Sequence, residues 1–238
     1  LESRISGWVG SLGGMSQKST STVVIDAPLA DVQAALFSIE SYPEWLTSIK
    51  INGTEVDSSL LTQDNRFSIV ALIHRSRKIS LEEKTSLLES EVTRDKNSDR
   101  SILARNRCRA SLPDKSIKDE IWNKIVNQPD SDSLYNMKAL MSGLVNIDQL
   151  DLVEDLIKNR FFEDAKKVAK QEHFYVDAYV NNCYPIYYVD DEMIARVEKL
   201  ADEIDHNDSM RRALRESADD MRRFAKAQKL SEQYLNKQ

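Results

Sequence analysis

From about residue 60 to the C-terminus, apolar residues recur three and four positions apart, in blocks that polar residues interrupt at regular distances. That spacing puts each block's apolar side chains on one face of an α-helix. Leu81, Leu88 and Val92 make one such face, behind Ser80-Leu81-Glu82-Glu83, whose serine and glutamate have capping-box spacing. Ser98 or Asp99 opens the next block, with Ile102, Leu103 and Cys108. A third begins at about Lys115, where Ile117, Ile121 and Ile125 recur every four residues with Trp122 beside them. Ser131 to Ser133 cap a helix bearing Leu134, Met137, Met141 and Leu144, and Asp148 starts one with Leu152, Leu156 and Asn159 beside Val153 and Ile157. "FFEDAKKVAKQEHF" continues in helical register. After Pro185, Asp190 and Asp191 lead into Ile194, Val197, Leu200, Ala201 and Ile204, and Asp208 into Met210, Leu214, Ala218, Met221 and Ala225.

The predicted helices start near residues 80, 98, 116, 132, 148, 190 and 208. Most intervals are 16 to 18 residues, so a helix pair repeats about every 34 to 36. Repeats of that length are those of an α-solenoid, in which each amphipathic pair buries its face on the next. The interval from 148 to 190 is long, and an extra helix at about residues 162 to 180 accounts for it. The expected fold is therefore mainly α, with a helical region over residues 60–238.

The front of the chain is patterned differently. "STVVIDAP", residues 21 to 28, is β-branched and ends at a proline, which predicts a short strand near residues 21–27. "LADVQAALFSIE" follows with Val32, Ala35, Leu36 and Ile39 at helical spacing, and Pro43 stops that helix. Residues 1–20 hold four of the six glycines and read as a flexible leader, in which Met15 marks a candidate original start.

Composition narrows the picture. With 41% hydrophobic and 30% charged residues, the chain has the balance of a globular protein rather than a disordered one. Scarce glycine after residue 14 argues against a fold built on tight turns. A net charge of -6 opposes non-specific nucleic-acid binding, which needs a basic face. No apolar run approaches the roughly 20 residues that cross a bilayer. The start lacks the apolar core of a signal peptide, and two cysteines 75 residues apart, Cys108 and Cys183, read as reduced thiols. The expected compartment is the cytoplasm, with neither membrane nor nucleic acid as partner.

Candidate chemistry is thin. The three histidines, His74, His173 and His206, include no pair three or four residues apart, so the helical zinc motif H-E-x-x-H is absent, and the cysteines form no C-x-x-C. No Walker A, G-x-S-x-G or G-x-G-x-x-G sequence occurs. Arg107 and Arg109 flank Cys108 and could lower its pKa, but its place near the apolar side of a helix favours packing. Asp190-Asp191-Glu192 complements a helix dipole. One dense feature remains. "HFYVDAYVNNCYPIYYVDD" holds Tyr175, Tyr179, Tyr184, Tyr187 and Tyr188, which either line a peptide- or partner-contact surface or pack where two helices meet.

Two resemblances follow. "SLLESEVTRDKNSDRSILARNRCRASLPDKSIKDEIWNKIVN", Tyr184-Pro185 before an acidic helix start, and the closing "SMRRALRESADDMRRFAKAQ" together resemble, over residues ~64–238, the C-terminal helical domain of M1-family zinc aminopeptidases of the aminopeptidase N type. The resemblance implies a HEAT-like array that covers a catalytic domain and encloses the chamber through which peptides reach the zinc. It also implies that the zinc and its ligands belong to domains outside this chain, which would hold no cofactor and no catalytic residue of its own. "STVVIDAPLADVQAALFSIESYPEWLTSIK" resembles the opening of a START-like polyketide-cyclase protein over residues ~21–50, so the chain reads either as a chimera or fusion of two families or as one array in which the front match is accidental and these residues form ordinary helices.

The leading expectation is thus a non-catalytic domain of a zinc aminopeptidase, whose partners are the parent's catalytic domain, peptides and, where the covered face is left bare, a second copy of the chain as a homodimer. The alternatives are a START-like carrier of hydrophobic small molecules or lipids, and a stand-alone helical scaffold that binds a partner along its concave face.

Overall fold

A computed structural model describes residues 49–51, 54–56 and 62–235. The expected leader and the expected strand near residues 21–27 lie outside these residues. Among the described residues, a short antiparallel ladder precedes the helices, β1 (Ile49–Ile51) with β2 (Thr54–Val56), in which Ile51 faces Thr54. Between them the sequence reads Asn52-Gly53, a pair that favours two-residue hairpin connections.

Helices follow in close succession: α1 (Gln63–Arg75), α2 (Leu81–Arg94), α3 (Asp99–Ser111), α4 (Lys115–Asn127) and α5 (Leu134–Leu144). Then α6 (Leu150–Asp155) passes through a π-helical turn (Leu156–Arg160) straight into α7 (Phe161–Val168). The described residues end with α8 (His173–Cys183), α9 (Asp191–Glu203) and α10 (Asp208–Leu235). The starts are set by the side chains the sequence puts there. Thr62, Ser80, Asp114, Ser133 and Asp190 each accept a backbone N–H in the first turn of the helix they precede, which satisfies donors that have no intrahelical partner. At Ser80 the capping box is complete, because Glu83 also accepts from the Ser80 N–H at 3.0 Å.

The helices form a repeat-like array in two layers. In one, α1 packs on α3, α3 on α5, α5 on α8 and α8 on α10. These helices run parallel. Gln149 reaches the last carbonyls of both α1 and α3, Lys118 those of both α3 and α5, and Lys138 near the start of α5 lies over Phe174 at the start of α8. Their starts, at residues 63, 99, 134, 173 and 208, are 36, 35, 39 and 35 residues apart, close to the expected repeat. In the other layer α4 packs on the α6–α7 rod, and α9 is tied to that rod by Arg196, which donates to Lys158 O at 2.7 Å.

One boundary differs from expectation. There is no continuous helix over residues 162–180: α7 ends at Val168 and α8 starts at His173. Asn207 secures the break by donating to Ala169 O and Gln171 O, at 2.9 and 3.2 Å, while its own oxygen caps α10. The long interval is taken up by the rod, whose π turn holds one more residue per turn than an α-helix.

Two core regions result. Phe67, Val70, Ala71, Ile73, Leu88, Val92, Ala104 and Cys108 pack together among α1, α2 and α3. The larger cluster runs from Ala110 through Trp122, Phe161 and Tyr179 to Met221. Leu81 and Ile102, expected on buried faces, are 62% and 47% exposed. The reason in α3 is its position between α1 and α5. It meets its neighbours through Ser101, Ala104, Cys108, Ala110 and Ser111, small side chains that allow close approach. Gly143 of α5 comes so near that a Cβ there would lie 2.3 Å from Arg107 O.

Candidate functional site

The tyrosine-rich segment divides between core and surface. Tyr175 and Tyr179, one turn apart on α8, both point inward. The Tyr175 hydroxyl donates to Ile125 O at 2.6 Å and the Tyr179 hydroxyl to Phe161 O at 3.0 Å. Tyr179 stacks on Phe161 with centroids 5.1 Å apart and lies 5.8 Å from Trp122. The Trp122 indole N–H in turn donates to Asp164 Oδ2 at 2.9 Å. Burial pushes both phenols well above the usual tyrosine range. These groups join α4, α7 and α8. Tyr184 is half-buried, its pKa raised to about 12 by burial. Tyr188 is half-buried beneath Lys158, whose Nζ lies 4.0 Å from the ring centroid. Tyr187 is 40% exposed. Of the five residues expected at a contact surface, Tyr187 is therefore the open one, with Tyr184 and Tyr188 at its edges.

The reactive side chains are placed for packing. Cys108 and Cys183 are free and fully buried, each with its thiol pushed up to about 12 by burial. Arg107 lowers the Cys108 value without offsetting that. His74 is buried with Nδ1 2.8 Å from Val70 O, and burial lowers its pKa. His173 stacks against Phe174 on the surface, and His206 is exposed beside Asp205. Among the described residues no group of three or more His, Cys, Asp or Glu side chains could hold a metal ion, and no helix is long and apolar enough to cross a membrane.

A groove of ≈ 400 Å³ opens beside the rod, lined by Lys115, Asp151, Leu152, Glu154, Asp155, Lys158 and Asn159. Its charges are satisfied locally: Lys158 pairs with Glu154 at 2.6 Å, Lys115 with Asp119 at 3.3 Å, Asn159 donates to Asp155, and Arg77 reaches Asp151.

A strongly perturbed group that sequence reasoning missed is a lysine. Lys118 has no exposed surface. Its ammonium donates to Ala110 O at 2.6 Å, Leu144 O at 2.8 Å and Gly143 O at 3.4 Å, so three N–H groups meet three carbonyls at the ends of α3 and α5. Burial lowers its pKa to about 7. Lys84 repeats the device 34 residues earlier. It is buried, donates to Ser76 O at 2.5 Å just past α1, and is likewise shifted down by burial. Both lysines lie four residues after an N-cap, Ser80 and Asp114. That recurrence, together with a lysine one turn before the apolar pair Ile121 and Trp122, was the available signal. Asn146 and Gln149 extend the row: Asn146 donates to Gly143 O, and Gln149 to Arg75 O and Ser111 O.

No family model matches the chain, and no curated protein matches it.

Proposed function

We propose that residues 62–235 are a non-catalytic helical domain of a zinc aminopeptidase of the aminopeptidase N type, which shapes the chamber through which peptides reach the metal. The observation that carries this reading is what the array does with its chemically capable groups. Lys118, Lys84, Cys108, Cys183, Tyr175 and Tyr179 are each buried against backbone or apolar neighbours, and none faces open space where a substrate could sit. A repeat-like helical array with its buried ionisable groups spent on packing suits a wall or scaffold better than a reaction centre. The order of segments that resembles the aminopeptidase family supports the choice among scaffolds. The contact surface then centres on Tyr187, with the parent's catalytic domain and its peptides as partners.

The experiment is a turnover assay on the purified chain with aminoacyl-anilide substrates, with and without added zinc, alongside the in-frame coding sequence upstream. The reading expects no turnover and an H-E-x-x-H upstream. Turnover that disappears on mutating His74, His173 or His206 overturns the non-catalytic role, and an upstream frame without that motif overturns the parentage.

A further inference from the structure

The last helix outruns the body it belongs to. α10 has 28 residues, against 14 in α2. Met210, Leu214, Ala218 and Met221 bury its first half, and Arg215 and Arg222 tie it to Asp202 and Glu198 of α9. From Arg223 to Leu230 no residue is buried, and the helix runs on to Leu235. At 1.5 Å per residue, about 20 Å of helix stands beyond the core. Phe224 and Leu230 on it are 56% and 53% exposed. So short a helix is marginal in water unless something packs on it.

The charge pattern names what fits there. Met221 to Leu230 reads MRRFAKAQKL, four cations and no acid, in a chain of net charge -6. The turns just before carry the opposite sign. Glu216, Asp219 with Asp220, Arg223, Ala227 and Leu230 recur at steps of three or four, so they share one face, turned away from the core, and all six are exposed. An acidic block is thus followed along the helix by a basic one. Asp219 and Asp220 meet Arg222 and Arg223 one turn on, at 2.9 and 3.2 Å, yet stay 59% and 60% exposed. Such surface pairs are weak and leave room for a second cation. Two of these helices laid parallel bring like charges together. Laid antiparallel, they set acid against base at both ends.

We propose that α10 pairs antiparallel with α10 of a second copy, about a two-fold axis at the helix midpoint, beside Met221 and Arg222. Each protruding end then lies along the half of the other helix that its own body backs. Asp220 falls opposite Arg223 of the partner subunit. Asp219 falls opposite Phe224 of the partner subunit and within a turn of the partner's Lys226, on the same flank. Symmetry repeats each contact, and the isologous pair closes as a dimer. Phe224 and Leu230 gain the cover they lack in one copy.

Sedimentation equilibrium of the full chain tests this. Asp219 and Lys226 are seven residues apart, too far to meet within one helix, so any coupling between them runs across the pair. The expected species is a dimer. Asp219→Lys and Lys226→Glu should each weaken it by about tenfold, because a reversal turns attraction into repulsion at two symmetry-related sites. The double variant should recover most of that loss. Both positions are on the surface, and far-UV circular dichroism should confirm that the variants fold. A wild-type monomer at up to roughly 100 μM, single reversals without effect, or a double variant no better than the singles overturns the pairing. So does a monomer that co-sediments with phosphatidylserine vesicles, which would assign the basic end to an anionic lipid surface.

Discussion

The region around α1, α2 and α3 and the region from α4 onward bury their interiors with different chemistry. In the first, Arg66 lies within a small apolar cluster and pairs through two N–H groups with Glu91, both bonds 2.6 Å long and both side chains 3% exposed. Gln63 donates to the same carboxylate, Arg94 approaches it at 3.4 Å, and His74 and Lys84 are buried nearby. In the second, Trp122, Phe161 and Tyr179 form an aromatic centre and the cluster is apolar almost throughout. A buried ion pair gains little net stability, since desolvation opposes the attraction, but losing one partner leaves a buried charge without its counterpart. An apolar core is the reverse: it supplies net stability, and it fails by cavity formation. Continuity between the two rests on α3, whose small residues serve both neighbours, and on the buried donors Lys118 and Gln149.

The comparison can be broken from the larger region first. Trp122→Ala should cost about 3–5 kcal/mol through the cavity alone, and it also strands the Asp164 oxygen that accepts the indole N–H. Denaturant unfolding should show the loss across the whole chain. A change below about 1 kcal/mol would mean that the aromatic centre is not what holds α4, α7 and α8 together.

Glu91→Gln tests the other side. It keeps the volume and removes the charge that Arg66 needs, with an expected cost of about 3 kcal/mol, and hydrogen exchange should place the loss in α1 and α2 before α4. The pH dependence has a defined sign. Arg66 holds the Glu91 carboxyl below the usual carboxylate range, against burial that pushes it up. Its contribution is thus present above the unfolded pKa and is lost as pH falls through the folded one. Acid should therefore melt the front helices first in the wild type, and that order should disappear in Glu91→Gln. Uniform acid unfolding in both proteins would refute the division into two regions.

The smallest effect concerns their junction. Gly143→Ala places a Cβ against Arg107 O, and forcing α3 from α5 should cost about 1–3 kcal/mol, seen as lower cooperativity of thermal unfolding. A neutral substitution would show that the joint yields easily.

How much of this was legible in the sequence follows the same divide. Helix starts read from Ser80 and Asp190 fall within a residue of those found, because caps are local and the residues that make them are few; the starts read from Ser98 and Asp208 are as close, although Ser98 makes no side-chain cap bond and Asn207 caps α10. Trp122 and the isoleucines beside it announced their burial by spacing. The same spacing misled at Ile102, which is exposed, because α3 is buried on two sides by small residues, and which side a helix buries depends on neighbours that periodicity does not name. Arg66, Glu91, Lys84 and Lys118 were illegible for a related reason. A charged residue reads as exposed unless its partner is known, and Arg66 and Glu91 are 25 residues apart. Tyr175 and Tyr179 were singled out by density, yet density could not say whether a ring faces space or the backbone of Ile125 and Phe161.

The π turn at Leu156–Arg160 bears on how such arrays accept change. Ahead of it Val153 faces the core, and beyond it Phe161, Ala165 and Val168 do, so the turn brings two stripes of different phase onto one side of a single rod. The added length has been absorbed within a helix, with no loop to mark the spot. Aligning the repeats by their connecting segments would then put every position after Leu156 out of step with its structural counterpart, and the mismatch would look like divergence of residues when it is a shift of phase. Removing one residue from this turn should restore a regular helix and rotate Phe161 by about 100° from its partners. A lineage carrying that deletion would have to replace the Phe161–Tyr179 stack altogether, so the stack and the irregular turn are expected to be gained and lost together.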